Sequence, residues 1–368
     1  MAIINADITL GILGGGQLGR MSAMAAARLG IAVIIYSPEQ DCPASYVAKE
    51  TIVASYDDQD ALKAFCEKTD IITYEFENIP LKTIEYIETL KANAVLPEKT
   101  LLDVSQDRIK EKTFLNEQDI QTTRWAAVRD LNDIQATATL WGSPRFILKT
   151  ARFGYDGKGQ IKCEAATLSD DKDLQSYLEE TKGHDIIMED FVPFTKEISI
   201  IIARDVNGKT ELYGPMLNEH KNHILHKTTM PCDIAETIKD KAFSVSKTIS
   251  EAISLIGVLT VEFFVCDDGT LLVNEIAPRT HNSGHWTVDA CCVSQFENHV
   301  RTVCGLPVGS SKRHSDATML NLIGDDINHI DHYLDDDCAN IHLYGKKQVK
   351  KGRKMGHVTI LSPKTNAY

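Results

Sequence analysis

No stretch of this sequence stays apolar for the roughly 18 residues that a membrane-spanning helix needs. An excess of positive charge is also missing, because 52 acidic residues outweigh 39 basic ones and give a formal charge of −13. Binding to a nucleic-acid backbone needs basic surface, so nucleic acid is not the expected partner. The net charge does not exclude small anionic ligands, since a local cluster of cations is enough to bind them. The sequence therefore predicts neither a membrane nor a nucleic-acid partner.

The nine cysteines are scattered, and none of them has Cys-x-x-Cys spacing. An odd number of scattered cysteines argues against both a disulfide framework and a zinc clip. We interpret the adjacent Cys291 and Cys292 as packing within a buried helix. The chain also enters a strand-like segment, Ile8–Leu13, without the basic and apolar regions of a secretory signal. We therefore expect reduced thiols and a cytoplasmic location.

Short apolar segments alternate with helical ones in the N-terminal third of the chain. The predicted strands are Ile8–Leu13, Ala32–Tyr36, Thr51–Ala54 and Ile71–Tyr74. This alternation predicts a doubly wound, parallel α/β sheet, in which ligands bind beyond the carboxyl ends of the strands. Glu75 and Asn78 follow the fourth strand at that edge. A capped turn is the structural alternative for these two residues.

A glycine-rich segment, Gly14–Gly19, follows the first strand and fits the pattern Gly-x-Gly-x-x-Gly. Such a loop lets the backbone approach a phosphate at a helix N-terminus. The second strand ends in Tyr36–Glu39 with no acid at its tip to hold a ribose hydroxyl, which disfavours NAD. Phosphate binding by the amides of Gln17 and Leu18 remains open.

The segment Leu259–His285 carries the strongest functional signal in the chain. Two alternating apolar runs, Val261–Cys266 and Leu271–Ile276, flank the pair Asp268-Gly269. An Asp-Gly pair between such runs predicts a β-hairpin with a type I′ turn, because both central residues of that turn need positive φ.

In a hairpin with that turn, Glu262 faces Glu275, with Cβ atoms roughly 4.5–5.5 Å apart. Phe264 and Val273 are expected on the same face, so the surroundings of the two carboxylates are partly apolar. Like charges placed this way share a proton or bind a cation. Oxygen ligands favour a hard ion, so the pair predicts a Mg²⁺ site. An exposed strand edge with two solvated glutamates is the alternative.

Cationic and hydrogen-bonding side chains follow the second glutamate directly. They are Arg279, His281, Asn282, Ser283 and His285. This loop predicts an anion site beside the metal site.

A second candidate phosphate loop lies at residues 149–160, which contain three glycines and three cations. The strand Phe146–Lys149 leads into it, and the backbone amides and cations of such a loop can wrap a polyphosphate. It is not a P-loop, because Gly-x-x-x-x-Gly-Lys-Ser/Thr is absent and a strand follows it. A solvated hairpin is the alternative.

Two further strands, Ile186–Val192 and Glu197–Ile202, bring the acids Glu189 and Glu197 close together in the chain. The end of the first strand suits the edge of an adenine, and Glu197 suits the ribose hydroxyls. Ordinary charges at strand ends are the alternative. Farther on, two histidines stand at positions 223 and 226, but no thiolate or third histidine completes a zinc site there.

Residues 346–357 combine six lysines and arginines with His357, which is out of keeping with an acidic chain. The run lies between predicted strands at 341–344 and 358–361. It predicts a phosphate-recognition loop, with a solvated hairpin as the alternative.

Lys149, the glycine loop, Glu189 with Glu197, and the facing glutamates occur in the order that is typical of ATP-grasp enzymes. Several segments also resemble the N5-carboxyaminoimidazole ribonucleotide synthase family of purine biosynthesis. They are GILGGGQLGRM, YEFENIP, GYDGKGQ, NEIAPR followed by HNSGHWT, and YGKK with GRKMGH. HNSGH and GYDGKGQ are specific signals, whereas GGGQLG is weak. The resemblance spans residues 10–361.

The resemblance implies three regions in an α/β and α+β fold. A Rossmann-like domain with a doubly wound parallel sheet covers residues 1–105. An ATP-grasp domain covers 106–300, with a mobile lid at roughly 120–187. A small β-rich C-terminal domain covers 301–368.

The implied activity is that of an ATP-dependent carbon–nitrogen ligase. It carboxylates aminoimidazole ribonucleotide with bicarbonate through carboxyphosphate, and it releases ADP and phosphate. Mg²⁺ is the implied cofactor, and a cytoplasmic homodimer is the implied assembly.

The resemblance also assigns roles by position. The residues implied at the reacting groups and bicarbonate are Arg279, His281, Asn282 and Tyr155. The implied ATP-binding residues are Arg108, Lys149, Gly154, Tyr155, Asp156, Gly157, Lys158, Gly159, Gln160, Glu189, Asp190, Phe191, Val192, Glu197, His220, Asn274 and Glu275. Those implied for the ribonucleotide are Gln17, Leu18, Glu75, Asn78, Tyr155, Asp156, Lys346, Arg353 and Lys354. The implied metal ligands are Glu262 and Glu275.

Three positions depart from the family pattern that we expect. Ala277 stands where many ATP-grasp enzymes carry an asparagine ligand, so the ligand set of a second metal is open. Thr280 replaces an expected proline and makes the anion loop less rigid. Phe153 replaces an expected glycine near the lid.

Three other functions compete with this interpretation. A different ATP-grasp ligase or transformylase would share the nucleotide site and differ in the acceptor pocket. An NAD-linked oxidoreductase would use the glycine-rich loop but leaves the facing glutamates without a role. A non-catalytic nucleotide-binding regulator would not need both glutamates together with Lys149 and Arg279.

Overall fold

The computed structural model describes residues 8–152, 154, 159–168 and 170–365. These residues form two four-stranded sheets and one eight-stranded sheet. No helix in this part of the chain is long and apolar enough to span a bilayer.

The N-terminal sheet is parallel throughout. Its strands are β1 (Thr9–Leu13), β2 (Ala32–Ser37), β3 (Glu50–Val53) and β4 (Ile71–Tyr74), in the order β3-β2-β1-β4. Its helices are α1 (Gln17–Arg28), α2 (Gln59–Lys68) and α3 (Leu81–Leu90). Buried parallel strands consist of nearly continuous apolar residues, which is why the sequence located all four. The predicted doubly wound sheet is confirmed.

Two short helices, α4 (Lys99–Ser105) and α5 (Arg108–Glu117), connect this sheet to the rest of the chain. Helix α5 begins where the Asp107 carboxylate accepts hydrogen bonds from the amides of Ile109 and Lys110. Those amides have no partner within the helix, so the cap defines its first turn.

The second sheet is antiparallel. Its strands are β5 (Trp125–Val128), β6 (Arg145–Thr150), β7 (Gln160–Glu164) and β8 (Ile186–Asp190), in the order β5-β8-β6-β7. Helices α6 (Leu131–Trp141) and α7 (Lys172–Glu180) belong to the same region.

The central sheet has eight antiparallel strands. They are β9 (Phe194–Arg204), β10 (Thr210–Lys221), β11 (Ile224–Met230), β12 (Gly257–Cys266), β13 (Leu271–Ala277), β14 (Ser315–Ile323), β15 (Ala339–Leu343) and β16 (Lys354–Pro363). The strand order is β13-β12-β9-β10-β11-β14-β16-β15, so β13 is an edge strand. The predicted β-rich C-terminal region is present, and its strands extend this sheet through the pairing of β11 with β14.

Four helices accompany the central sheet. They are α8 (Glu236–Ala252), α9 (Thr287–Ala290), α10 (Gln295–Val303) and α11 (Asp331–Leu334). Ala242 and Ile249 of α8 pack in one apolar cluster with β9, β12 and β13. Phe296 and Val300 of α10 pack instead in one cluster with Leu10 of β1 and with α1. Helix α10 therefore joins the central sheet to the N-terminal sheet.

The prediction for the adjacent cysteines is wrong. Cys291 follows the end of α9 and forms an isolated bridge with Arg313, and Cys292 is exposed. Neither residue lies in a helix, because α9 ends at Ala290.

Candidate active site

The turn between β12 and β13 has three loop residues, Asp267, Asp268 and Gly269. The amide of Gly269 donates to the carbonyl of Cys266 at 3.0 Å, and the amide of Cys266 donates to the carbonyl of Thr270 at 2.9 Å. Of the loop residues only Gly269 has positive φ, at 79°. This is a type I turn closed by a glycine in the left-handed region. The predicted type I′ turn is wrong.

A β-bulge restores the pairing of Glu262 with Glu275 that was predicted from the incorrect turn type. Phe263 pairs with Val273, and the next pair is Glu262 with Glu275, so Asn274 is the extra residue of β13. The two glutamates face each other as expected. The expectation that Val273 shares their face is wrong, because Val273 packs with Phe263 in the core behind the sheet. Phe264 lies on the site side, where its ring stacks on Phe194 with centroids 4.4 Å apart.

The two facing carboxylates are held in different ways. Glu275 Oε2 lies 3.2 Å from the Arg108 guanidinium, whereas Glu262 Oε1 lies 3.1 Å from Nε2 of His281. Burial, followed by the charge of Glu275, raises the pKa of Glu262 to about 8. Burial and the nearby Arg279 hold the pKa of His281 well below its usual range, so His281 is neutral. The Arg108 guanidinium beside Glu275 and the neutral His281 beside Glu262 do not balance two negative charges. Two carboxylates in this state offer oxygen ligands that fit a hard divalent cation.

Helix α5 holds the backbone of β13 on both sides of Glu275, and the sequence interpretation missed this. Glu111 accepts a hydrogen bond from the Ile276 amide at 2.6 Å. Lys112 donates to the Asn274 carbonyl at 2.7 Å and to the Val273 carbonyl at 3.3 Å. Both side chains are buried, and burial raises the pKa of Glu111 to about 8.

A sequence signal for these residues exists. Arg108, Glu111 and Lys112 stand at i, i+3 and i+4, which places them on one face of a helix. A charged face that begins with a predicted ATP-binding arginine is a candidate extension of the site.

Lys149 of β6 and Glu189 of β8 form a buried ion pair, with Lys149 Nζ 2.6 Å from Glu189 Oε2. Burial opposes ionisation of Glu189, but Lys149 and Lys112 outweigh it and lower the pKa of Glu189 to about 2. Burial lowers the pKa of Lys149. Glu189 Oε1 lies 3.7 Å from Lys112 Nζ, so this carboxylate also connects the second sheet to α5. The sequence analysis treated Lys149 and Glu189 separately, and the structure brings them into direct contact.

Glu197 and His220 meet on neighbouring strands, with Glu197 Oε2 2.5 Å from His220 Nδ1. Burial opposes protonation of His220, but the hydrogen bond to Glu197 and its charge raise the pKa of His220. Glu197 pairs with Phe264 in the ladder between β9 and β12, two residues from Glu262. The structure thus brings both predicted residues beside the facing glutamates.

The loop after β13 brings its cation to the N-terminal sheet. Arg279 Nε donates to Glu77 Oε2, and Arg279 Nη1 donates to the Thr280 carbonyl at 3.0 Å. Glu77 follows β4, and the sequence interpretation missed it. Burial opposes ionisation of Glu77, but Arg279 outweighs it and lowers the pKa of Glu77. The sequence signal was its position two residues after Glu75.

The rest of this loop is fixed by reciprocal hydrogen bonds. Gln295 accepts from the His281 amide at 2.9 Å and donates to the His281 carbonyl at 2.6 Å. The Asn282 and Asn321 side chains exchange hydrogen bonds of 2.9 and 2.8 Å. Ser283 Oγ accepts from Ser199 at 2.8 Å. This bonding holds the loop without the proline that Thr280 replaces.

Glu75 occupies the start of helix α1. Its carboxylate accepts from the amides of Gly16 and Gly19, the second at 2.7 Å. A Cβ at Gly16 would lie 2.6 Å from Glu75 Oε1, and one at Gly14 would lie 2.5 Å from Glu75 Cγ. Burial raises the pKa of Glu75, and the two amides oppose that rise. The glycines of the loop therefore make room for an internal carboxylate at the place where a dinucleotide phosphate would bind.

The basic residues after β15 have different surroundings in the structure. Lys346 Nζ donates to the Lys354 carbonyl at 2.7 Å, and Arg353 Nη1 donates to the Gln348 carbonyl at 3.2 Å. Burial and Arg353 lower the pKa of Lys346 to about 8. His357 is not one of the loop cations, since it lies within β16, fully buried against Tyr344. Burial holds the pKa of His357 well below its usual range, so counting it as a cation was wrong.

Several predicted lid residues lie outside the described residues. They are Phe153, Tyr155, Asp156, Gly157 and Lys158. Their described neighbours reach the site or its margin: the Gly154 carbonyl accepts from Arg108 at 3.4 Å, and Gln160 Nε2 lies 3.5 Å from His223 Nδ1.

Most of the remaining predicted residues lie at or next to the ends of helices and strands. Gln17 and Leu18 begin α1, Asp190 ends β8, and Phe191 and Val192 follow it. Asn78 lies in the segment between β4 and α3, Gly159 precedes β7, and Asn274 is the bulged residue.

Three family models match successive parts of the chain. A ribonucleotide synthetase preATP-grasp domain matches residues 8–106, an ATP-grasp domain matches 113–296, and a phosphoribosylaminoimidazole carboxylase C-terminal domain matches 317–368. The N5-carboxyaminoimidazole ribonucleotide synthase of Brucella melitensis is 47% identical, and the match covers 97% of each chain. The chain belongs to the N5-carboxyaminoimidazole ribonucleotide synthase family.

Other members of the family agree with this assignment. The N5-carboxyaminoimidazole ribonucleotide synthase of Bacillus subtilis is 38% identical, covering 98% of this chain and 93% of the relative. A crystal structure of the Staphylococcus aureus N5-carboxyaminoimidazole synthetase with ADP has a TM-score of 0.89 at 37% identity, covering 98% and 94% of the two chains. The Aspergillus clavatus synthase with ADP and 5-aminoimidazole ribonucleotide has a TM-score of 0.89 at 26% identity, covering 98% and 95%. The chain is accordingly an ATP-dependent ligase of the ATP-grasp type, which excludes the oxidoreductase alternative.

Proposed function

We propose that this chain carboxylates aminoimidazole ribonucleotide with bicarbonate and ATP, and that it forms carboxyphosphate on the way to N5-carboxyaminoimidazole ribonucleotide. One observation carries the proposal. The facing carboxylates of Glu262 and Glu275 lie in direct contact with the anion loop, through the 3.1 Å approach of His281 to Glu262. A phosphoryl-transfer site and an anion site are thus contiguous, as this reaction requires.

ATP is held from two sides in this proposal. Lys149 comes from the second sheet and Arg108 from α5, and both are placed to neutralise phosphate charge. Glu197 accepts ribose hydroxyls, and the strand end after Glu189 lines the adenine. The roles of Tyr155, Asp156 and Lys158 remain predictions from sequence.

Glu262 and Glu275 would hold Mg²⁺, which neutralises the charge that develops on the transferred phosphoryl group. Asn274 Oδ1, next to Glu275, is buried and has no hydrogen-bond partner among the described residues, and this orphaned oxygen agrees with a cation-binding region. Ala277 contributes no ligand atom, so the carboxylates carry that role.

The anion loop binds and activates bicarbonate. A bicarbonate oxygen attacks the γ-phosphorus, the bond to the β-phosphate oxygen breaks, and ADP leaves. Arg279, His281 and Asn282 surround the resulting carboxyphosphate. Neutral His281 can contact the anion without a charge of its own, because burial and Arg279 hold its pKa well below its usual range. The proton of bicarbonate stays on the carboxyl group of the carboxyphosphate. The amine of the ribonucleotide then attacks the carboxyl carbon, or CO₂ released from it, and phosphate leaves.

The ribonucleotide lies between the N-terminal sheet and the loop after β15. Glu75, Asn78, Gln17 and Leu18 approach it from the carboxyl end of the parallel sheet. The cations Lys346, Arg353 and Lys354 approach its phosphate. The predicted domain division at residues 105 and 300 is part of this proposal, with the acceptor bound between domains. Cytoplasmic location and a homodimer are part of the same proposal.

ADP release tests the function directly. Purified protein is given Mg-ATP, with bicarbonate and aminoimidazole ribonucleotide each present or omitted. We expect release that requires the ribonucleotide and rises with bicarbonate. Release that is indifferent to this ribonucleotide would overturn the acceptor assignment while leaving the ATP site.

A further inference from the structure

The backbone of β13 around Glu275 is held by three charged side chains of one helix. Arg108 contacts the Glu275 carboxylate, Glu111 accepts from the amide after it, and Lys112 donates to the two carbonyls before it. Strand β13 is the edge of the central sheet, and among the described residues its outer side has only an isolated bridge of Val273 with Thr122. Helix α5 takes the place of a neighbouring strand.

The register of β13 decides which side chain faces Glu262. Near the turn the strands pair as Phe264 with Leu272 and Phe263 with Val273. Continued without interruption, this register would place Asn274 opposite Glu262. Glu275 would then point to the apolar face of the sheet, because successive side chains alternate between faces. The bulge at Asn274 is therefore what creates the pair of facing carboxylates.

Lys112 bonds to the two residues where the bulge forms. Its ammonium reaches the carbonyls of Val273 and Asn274, and its side chain is only 1% exposed. A buried ammonium needs several acceptors, and these carbonyls are two of them. Glu189 of the second sheet, 3.7 Å away, supplies the opposite charge.

We propose that Lys112 is a positioning residue that holds the bulge at Asn274 and so keeps Glu275 opposite Glu262. The inference rests on the proposed role of those two carboxylates as metal ligands. Lys112 touches neither carboxylate of the pair, and it acts through the backbone of β13.

The test compares Lys112→Met, which keeps the length of the stem and removes the donors, with Lys112→Arg, which keeps them. Lys91→Met is the matched control, because Lys91 also donates to a main-chain carbonyl, that of Thr69, in the N-terminal domain. Affinity for Mn²⁺, as a probe for the divalent site, is measured by electron paramagnetic resonance without substrates. Hydrogen exchange of amides 272–277 reports on the strand itself.

We expect Lys112→Met to weaken Mn²⁺ binding by about 10- to 100-fold, as outer contacts to metal ligands do. Exchange at amides 272–277 rises by about tenfold, while affinity for metal-free ATP stays within about threefold. Lys112→Arg restores both to near the wild-type values, and Lys91→Met changes neither.

Wild-type Mn²⁺ affinity and exchange in folded Lys112→Met would overturn the proposal. If that variant does not fold, Lys112→Gln takes its place, with two uncharged N–H donors on a stem too short to reach both carbonyls, and wild-type values there overturn it equally. Loss of metal-free ATP binding as the main effect would assign Lys112 to the Glu189–Lys149 pair instead. Failure of the proposed function would look different, since the wild-type protein would then release no ADP on addition of the ribonucleotide.

Discussion

At the scale of single residues, Arg279 has the most demanding position in the site. Its guanidinium contacts Glu77 after β4 and also the main chain of its own loop. Only a planar fork with several donors can make both contacts and still present an N–H group to an anion. Removal of the whole side chain would leave Glu77 as a partly buried charge without its partner Arg279, so a charged replacement is the cleaner probe.

Arg279→Lys is expected to raise the KM for bicarbonate by about tenfold or more, because an ammonium cannot hold Glu77 and an anion in the same fixed geometry. The KM for ATP should stay within about threefold. Steady-state kinetics with each substrate varied in turn measures both. Arg204→Lys is the control. Arg204 donates to the Leu255 carbonyl at the end of β9 that is opposite to Glu197. An increase confined to the KM for ATP would contradict the anion role.

His299 makes a second prediction, on stability. It lies in α10 with Nε2 2.9 Å from the Thr73 hydroxyl, and burial lowers its pKa to about 4. The unfolded chain has a histidine pKa near 6.5, so it binds the proton first as the pH falls. The contribution of His299 to the free energy of unfolding is therefore fully present above about pH 6.5. It is lost between about pH 6.5 and pH 4, which lowers the free energy of unfolding by about 3 kcal/mol.

His299→Gln should flatten that loss, which urea unfolding at several pH values would show. Glu111 and Glu262 act in the opposite direction, because their raised pKa values of about 8 add stability as the pH falls toward about 4.5. They are unchanged in the variant, so the difference between variant and wild type isolates His299. His184→Gln, at an exposed histidine, should leave the pH dependence unchanged.

At the scale of elements, the β12–β13 hairpin shows what the sequence could predict and what it could not. Alternating apolar residues located both strands, because one face of each packs on α8. The turn was predicted as two residues but has three, and the predicted ladder had no bulge where the structure has one at Asn274. The two errors cancel at Glu262 and Glu275. Turn length and bulges depend on contacts from elsewhere in the chain, here Lys112, which local patterns do not contain.

Gly269 supplies the prediction for this element. Its φ of 79° is unfavourable for residues with a side chain, and an added Cβ there would meet no atom within 4 Å. Gly269→Ala should therefore cost about 1 kcal/mol in the free energy of unfolding from backbone conformation alone. Gly269→Asn should cost less, because asparagine tolerates the left-handed region. Urea unfolding measures both, and equal costs would argue against the left-handed turn.

The glycine-rich loop at the start of α1 shows another limit of sequence interpretation. The pattern indicated phosphate binding by the amides of Gln17 and Leu18, which stays a prediction, whereas in the structure Glu75 accepts from the Gly16 and Gly19 amides. The pattern could not tell an internal carboxylate from a phosphate, because both satisfy amides at a helix N-terminus. Contacts such as Glu77 with Arg279, 202 positions apart, are likewise set by the fold.

At the scale of the whole molecule, α10 contacts both sides: it packs against α1 of the N-terminal region and against β9 and β12 of the central sheet. Phe296, Val300 and Val303 pack in the same cluster as residues of β1, β2 and α1. Tyr344, which follows β15, belongs to this cluster as well. The elements that carry the proposed substrate-binding residues are therefore fixed relative to each other by apolar packing.

Phe296→Ala should lower the free energy of unfolding by about 3–5 kcal/mol, because a fully buried aromatic ring leaves a cavity. Hydrogen exchange should accelerate in β1 and in β12 together, since α10 packs in one cluster with β1 and also contacts β12. Leu140→Ala, at a side chain that is 84% exposed, should change stability by less than about 0.5 kcal/mol. Acceleration in β1 alone would show that the two sheets open independently.

Helix α5 and the segment after it bond to the outer edge of β13, and this affects the tendency of the protein to aggregate. The Val273 amide bonds to the Gln121 carbonyl, and Glu111 and Lys112 take the neighbouring backbone groups. An uncovered edge strand pairs with any chain that offers another edge. A fragment that begins at residue 123 would expose β13 along this length, and its chains would assemble edge to edge. The residues that hold the backbone of β13 around Glu275 therefore also cover the edge through which the largest sheet would otherwise polymerise.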